Sequence, residues 1–373
     1  MQSATDVAIV GAGVVGLACA AFLARAGRSV IVVERNERPG GETTSRNSEV
    51  VHAGLYYPEA SLKARLCRAG REALYARCEA RGVSHRRTGK LVVATESGEV
   101  AALEAICTSG TANGAPGLEI VDAAAVAAQE PDVSAVAALV SPDTGIVDAM
   151  ALCLDYAAEA EEYGAALVYR TEIVEIGRTD FGWRLHARDA AGGTSEVDCA
   201  AVVNAAGLAG DTLAERAGFD IDARGYRLHY CKGDYFSLAP GAPVRISSLV
   251  YPVPAGPGMG VHATVDLGGR VRFGPDAEYV DAVCYDVDSA KAADFGRVVR
   301  RYIPTLRDEW LAPDYAGVRP KLAAPGEGFR DFVVAEESDA GFPGFVNCLG
   351  IESPGLTASP AIALRVTELL GSL

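Results

Sequence analysis

Hydrophobic and polar positions follow two rhythms along the chain. Between Asp6 and Arg35, an apolar run (7–10), an alanine-rich apolar stretch (14–25) and a second apolar run (29–33) follow one another. Short unbroken apolar runs suit strands buried on both faces; the longer stretch suits a helix laid against them, with Gly27 as its stop. The prediction is a strand–helix–strand unit. Over 62–78, Leu62, Leu66, Leu74 and Cys78 recur at helical spacing, which places Lys63, Arg65, Arg68 and Arg71 largely on the outer face. A strand over 88–94 leads to helices over 99–107 and 123–129, and turn residues at 141–148 precede a helix over 149–163.

From 166 the period turns to two. Strands are predicted over 167–169, 173–176, 183–187 and 196–198, with a turn at Gly192-Gly193. A separate buried strand over 200–204 runs into Ala205-Ala206-Gly207, and Asp211 opens a helix through 217. Further strands over 226–238, 248–253, 260–267 and 271–273 imply an antiparallel sheet. A helix over 289–302 stops at Pro304, 314–321 reads as a compact turn around Arg319, and strands follow over 332–334 and 345–349. Gly350 to Pro360 forms a second glycine-rich turn that opens an apolar helix to the C-terminus. The fold class is therefore α/β (α+β overall). A Rossmann-like nucleotide domain is built from 1–85, 146–220 and 322–373. A mostly antiparallel substrate domain, 86–145 and 221–321, is inserted into it.

The glycines between the first strand and helix are Gly11, Gly13 and Gly16, at G-x-G-x-x-G spacing. The first permits the tight turn, the second lets backbone approach a pyrophosphate, and the third allows close helix–strand packing. The free N–H groups at Val14 and Val15 and the positive end of the helix face the phosphates. Glu34, followed by Arg35, stands about 20 residues on, where a carboxylate accepts hydrogen bonds from an adenosine ribose. It would repel a 2′-phosphate, so the ligand is FAD or NAD. The polar run Thr43-Thr44-Ser45-Arg46-Asn47-Ser48 suits a segment that covers a pyrophosphate and continues beside a ring system.

At 373 residues, with 49% hydrophobic and 22% charged side chains, the composition is that of a globular protein of about two domains. The net charge of −15 disfavours nucleic acid and anionic membrane surfaces, so an anionic substrate needs local positive charge. The nine cysteines form no C-x-x-C and read as buried reduced thiols; no metal site is expected. No signal peptide or bilayer-length apolar span is read, and the expected location is cytoplasmic.

Together, G-A-G-V-V-G, S-R-N-S-x-V-x-H-A-G-L-Y-Y, S-L-K-A-R-L-C, Y-P-V-P, G-V-R-P-K and G-I-E-S-P-G-L-T-A-S resemble FAD-dependent oxidoreductases of the D-amino-acid-oxidase superfamily. More narrowly, they are similar to the L-2-hydroxyglutarate dehydrogenase/oxidase group. The resemblance implies an extended FAD with Glu34 at the ribose and Thr44, Ser45 and Arg46 near the pyrophosphate. It places Val174 beside the adenine and Ala206-Gly207 on the flavin side. Gly350, Gly355, Leu356 and Thr357 would meet the flavin pyrimidine edge.

The implied chemistry is oxidation of a 2-hydroxy acid to the 2-oxo acid by hydride transfer to flavin N5. It requires a base, a cation for the carboxylate and a dry cavity. His52, beside the flavin loop, and His262, in the substrate sheet, are the candidate bases; His85, His186 and His229 read as packing or surface residues. Lys90, Arg319 and Lys321 are candidate anion clamps, and Tyr251 adds a hydroxyl. A small dicarboxylate such as L-2-hydroxyglutarate is the expected substrate. The alternatives are an amino-acid or amine oxidase, a glycerol-3-phosphate-dehydrogenase-like enzyme, or a dinucleotide-binding module without catalysis. The electron acceptor (oxygen, quinone or a protein carrier) is left open; a quinone would require peripheral contact with a membrane.

Overall fold

The structure, a computed structural model, describes residues 4–254 and 260–371; sequence-read segments at 1–3, 255–259 and 372–373 lie outside the described residues. The chain opens with β1 (Ala4–Val10), α1 (Val14–Arg25), β2 (Val30–Val33), β3 (Val50–Val51) and α2 (Leu62–Arg81). There follow β4 (His85–Arg86), β5 (Lys90–Ala94), α3 (Val100–Ala112), β6 (Glu119–Asp122), α4 (Ala123–Gln129), β7 (Ala137–Ser141), β8 (Gly145–Val147) and α5 (Ala149–Glu162). The middle contributes β9 (Ala166–Val168), β10 (Thr171–Thr179), β11 (Gly182–Asp189), β12 (Thr194–Asn204), α6 (Gly210–Arg216), β13 (His229–Leu238) and β14 (Leu249–Pro252). Last come β15 (Ala263–Val265), β16 (Val271–Phe273), β17 (Glu278–Val280), α7 (Ala292–Val299), β18 (Leu311–Lys321), β19 (Val333–Glu337), β20 (Phe342–Leu349) and α8 (Gly355–Leu370).

An eight-stranded sheet runs β10-β11-β12-β1-β2-β9, with β20 also beside β12 and β19 beside β20. Its strands β9, β2, β1, β12 and β20 are parallel, so their C-terminal ends share one edge. That edge is where α/β sheets of this kind bind ligands. Helices α1, α2, α5 and α8 bury one face through Leu17, Leu74, Leu152 and Ile362. Trp183, Phe219 and Phe345 fill the other. A nine-stranded sheet, β17-β13-β16-β15-β14-β5-β7-β6 with β18 beside β13, makes the second body. It is antiparallel apart from the β5–β14 pair. A small sheet, β3-β8-β4, also forms.

Three expectations are corrected. The strands read separately over 196–198 and 200–204 are one, β12, whose first half pairs antiparallel with β11 and whose end pairs parallel with β20. The alternation fades where the partner changes and both faces become buried. The compact turn around Arg319 is the eleven-residue strand β18, antiparallel to β13. Pro313 and Pro320 are unusual in a strand, but β18 pairs on one side only, where a missing N–H is tolerated. Finally, Lys63 and Arg71 of α2 are not outward but only 4% and 3% exposed. The reason is a close helix crossing: a Cβ on Gly70 would lie 2.4 Å from the Thr357 carbonyl of α8. Both cations meet carboxylates, Lys63 Nζ at 2.9 Å from Glu352 before α8 and Arg71 Nε at 2.8 Å from Asp143 in the β7–β8 turn.

Candidate active site

The turn after β1 could be built only from glycine at two of its positions. Gly11 has φ +107°, and a Cβ there would meet the Ala205 carbonyl oxygen at 2.4 Å; a Cβ on Gly16 would meet the Gly11 carbonyl at 2.0 Å. Backbone of β1 and β12 therefore lies bare at the sheet edge. A cavity of about 290 Å³ opens there, walled by Gly11, Gly13, Glu34, Arg35, Thr44, Ile173, Ala206 and Gly207 among others. Glu34 accepts the Ala12 N–H at 2.7 Å and the Asn36 N–H and amide at 2.8 and 2.7 Å, which ties the glycine turn to the end of β2. Arg35 pairs with Glu42 at 2.5 Å. The Val14 N–H, at the positive end of α1, donates to Thr44 Oγ1 at 3.1 Å. Val15 and Gly16 complete the first helical turn. Bare backbone, helix N–H groups, hydroxyls and a carboxylate are the donor and acceptor set that an extended dinucleotide needs, so the residues fit the expected group. Val174 sits at a β-bulge of β10 beside Ile173, which takes the wall position instead.

From Thr44 the chain runs to the second glycine turn. Ser45 donates to the Glu42 carbonyl, and the Asn47 amide donates to the carbonyls of Thr43 and Thr44 at 3.2 and 2.6 Å. Arg46 lies over the Tyr285 ring at 4.0 Å and donates to the Ala316 carbonyl of β18. Ser48 hydrogen-bonds the Tyr235 phenol. After β3, the His52 N–H donates to Thr357 Oγ1 at 3.0 Å, and that hydroxyl donates to the Val50 carbonyl. So Thr357, one turn into α8, is stitched to the segment whose other end caps α1. Gly350, Gly355 and Leu356 lie at this second turn and do not wall the 290 Å³ cavity.

With His52, three more expected residues converge from distant stretches. The imidazole of His262 stacks on Tyr251, with ring centres 3.5 Å apart. Lys90 is 1% exposed; its ammonium stands 4.2 Å from the Tyr251 ring centre and 5.5 Å from that of Tyr56. Burial drives its pKa down from 10.5 to about 7, opposed only by the Cys67 thiol. No carboxylate lies within ion-pair distance of it among the described residues. His52 Nε2 is 3.1 Å from Ser353 Oγ. Burial, then the charges of Lys90 and His262, hold His52 well below its ordinary pKa, so the imidazole is neutral and able to accept a proton.

The remaining cations differ. Among the described residues Arg319 hydrogen-bonds only to uncharged groups, Cys231 Sγ at 3.5 Å and the Asp276 carbonyl at 3.1 Å, while the Glu352 charge acts on it from farther away. Lys321 pairs with Glu352 at 3.3 Å. Burial works against ionising Glu352, but Lys63, Lys321 and Arg319 outweigh it and keep the carboxyl below its usual range. Lys321 is thus engaged by protein. Sequence reasoning passed over Lys63, Glu352 and Ser353, and also Asn113, whose amide donates to the carbonyls of Gly54 and Tyr57. Nothing in the local pattern marks Asn113, which ends a helix far from that loop. Among the described residues no cluster of metal ligands forms, all nine cysteines are free, and no helix is long and apolar enough to cross a membrane.

Comparison with known proteins agrees with this geometry. The family model described as "FAD dependent oxidoreductase" (DAO) matches residues 6–369. The chain is 39% identical to a mitochondrial L-2-hydroxyglutarate dehydrogenase of Arabidopsis thaliana, over 97% of this chain and 83% of that one. It is 30% identical to a glycerol 3-phosphate dehydrogenase of Caloramator mitchellensis, over 99% of this chain and 74% of the relative. Among solved structures, the L-alpha-glycerophosphate oxidase of Mycoplasma pneumoniae with FAD bound superposes with a TM-score of 0.88 at 25% identity, covering 99% of this chain and 95% of that one.

Proposed function

The chain belongs to the DAO family of FAD-dependent oxidoreductases, and from that premise we propose that it oxidises a 2-hydroxy acid, L-2-hydroxyglutarate or a similar dicarboxylate, to the 2-oxo acid. FAD, when bound, supplies the acceptor for the C2 hydride. The glycine turn, Glu34 and the Thr43–Ser48 segment would hold its nucleotide half, and the Gly350–Thr357 turn its ring end. The observation that carries the reading is Lys90. A buried ammonium with no carboxylate beside it is costly unless a ligand brings one, so the site calls for an anion.

The residues then divide the work. Lys90 binds the carboxylate next to the reacting carbon. Arg319, which forms no ion pair among the described residues, supplies positive charge for the distal one. His52 takes the C2 hydroxyl proton on its imidazole, which its surroundings keep neutral. The stacked Tyr251–His262 pair walls the chamber and excludes water.

The glycerol 3-phosphate relatives give a second reading, because the same cations suit a phosphate. Mixing FAD-loaded protein anaerobically with substrates decides between them. L-2-hydroxyglutarate should bleach the flavin absorbance, while glycerol 3-phosphate, glycine and proline should not. Bleaching by glycerol 3-phosphate alone assigns the second reading, and bleaching by an amino acid overturns both.

A further inference from the structure

We propose that Tyr56 is a substrate-binding residue whose phenol, together with the Lys90 ammonium, holds the C1 carboxylate of the 2-hydroxy acid. The proposal deepens the function above and rests on it. The Tyr56 hydroxyl is buried and has no hydrogen-bond partner among the described residues. Buried hydroxyls are nearly always bonded, so an unmet one calls for an acceptor from elsewhere. The Lys90 ammonium beside its ring is itself a donor, and burial makes the phenol's own proton harder to remove. An unpartnered O–H beside a buried ammonium suits a ligand rich in acceptor oxygens, and a carboxylate is the simplest.

The loop that carries Tyr56 is held from several sides. Cys67 Sγ donates to the His52 carbonyl and Arg71 Nη1 to that of Ala53, each at 3.3 Å. Asn113 Nδ2 donates to the carbonyls of Gly54 and Tyr57 at 2.9 and 2.8 Å. Backbone on both sides of Tyr56 is thereby fixed, so an incoming ligand does not have to order the phenol. Tyr56 also packs against the cluster of Val92 and Val253, and so lies where the two bodies meet.

The assignment to C1 follows from position. In a 2-hydroxy acid the carboxylate is bonded to the carbon that bears the reacting hydroxyl, so its binding groups must lie beside the base. Lys90 does, since His52 feels its charge. Tyr56 is four residues from His52 on the same pinned loop. Arg319 is anchored on another strand, to Cys231 and Asp276.

The test is Y56F in the FAD-loaded protein, titrated with 2-oxobutanoate (one carboxylate) and 2-oxoglutarate (two), with binding read from the perturbed flavin spectrum. Loss of a hydrogen bond to a charged group should raise Kd roughly tenfold or more, by the same factor for both acids. Tm should not fall, because the hydroxyl has no protein partner. An unchanged Kd overturns the proposal, as does wild-type protein that binds neither acid or a lowered Tm. A rise confined to 2-oxoglutarate overturns the C1 assignment. Neither ligand needs to react. If no 2-hydroxy acid reduces the wild-type flavin, the reaction fails while these titrations still decide the clamp.

Discussion

Glu34 and Lys90 are both buried charges, one in each half of the molecule, and their surroundings differ in kind. Glu34 accepts three hydrogen bonds from the turn and strand it joins. Lys90 has aromatic faces around it and, among the described residues, no carboxylate within ion-pair distance. The first glycine turn is therefore self-consistent: its polar groups satisfy one another, and its shape is set by backbone. The cluster around Lys90 carries unmet demand, in the Lys90 charge, the Tyr56 hydroxyl and a histidine held neutral. A region left incomplete by its own residues is the one whose stability a small ligand should change most.

Substitutions in the two halves should separate the contrast. The largest effect is expected for H52N, which removes the proton acceptor. Flavin reduction by 2-hydroxy acid should slow by about 10²–10⁴-fold, with FAD content and Tm retained, as read by anaerobic stopped-flow absorbance. Next is G11A, whose Cβ has no room against the Ala205 carbonyl. It should strip FAD from the purified protein and lower Tm, the opposite signature. K90M should raise Kd for carboxylates by about 10- to 100-fold and yet raise Tm, because it removes an uncompensated buried charge.

The pH dependence sharpens the same contrast. Unfolded Lys90 keeps its proton to about 10.5, whereas the folded chain releases it near 7. Between those values the unfolded state binds more protons, so stability rises with pH; the whole displacement is worth roughly 5 kcal/mol. K90M should flatten that slope in thermal melts. The kcat/KM of the native enzyme should fall about tenfold per pH unit above about 7, as the carboxylate clamp loses its charge. His52, held below 6.5, should place the acid limb well under that value.

The halves also differ in how far they could be read from sequence. The first strand–helix–strand unit is local: apolar runs, glycine spacing and an acidic residue lie within 30 consecutive positions, and the helix limits agree with those read. The cluster around Lys90 is assembled from afar. His52, Lys90 and the Tyr251–His262 pair meet only after the sheets form, so residue type could nominate them but not join them. Burial of Lys63 and Arg71 needed the α2–α8 crossing, which a single helix pattern does not contain. Strand β18 shows only against its distant partner β13, and the unmet hydroxyl of Tyr56 exists only in three dimensions.

The central claim is that the segment from Thr44 to His52 carries a ligand path from the first glycine turn to the second and ends in a carboxylate-binding chamber. A crystal structure of the FAD complex with glutarate tests it most directly. The dinucleotide should begin at Gly11 and Glu34 and end beside His52 and Thr357, with a glutarate carboxylate on Lys90. Glutarate bound away from Lys90, or a ring end that stops short of Thr357, would contradict it.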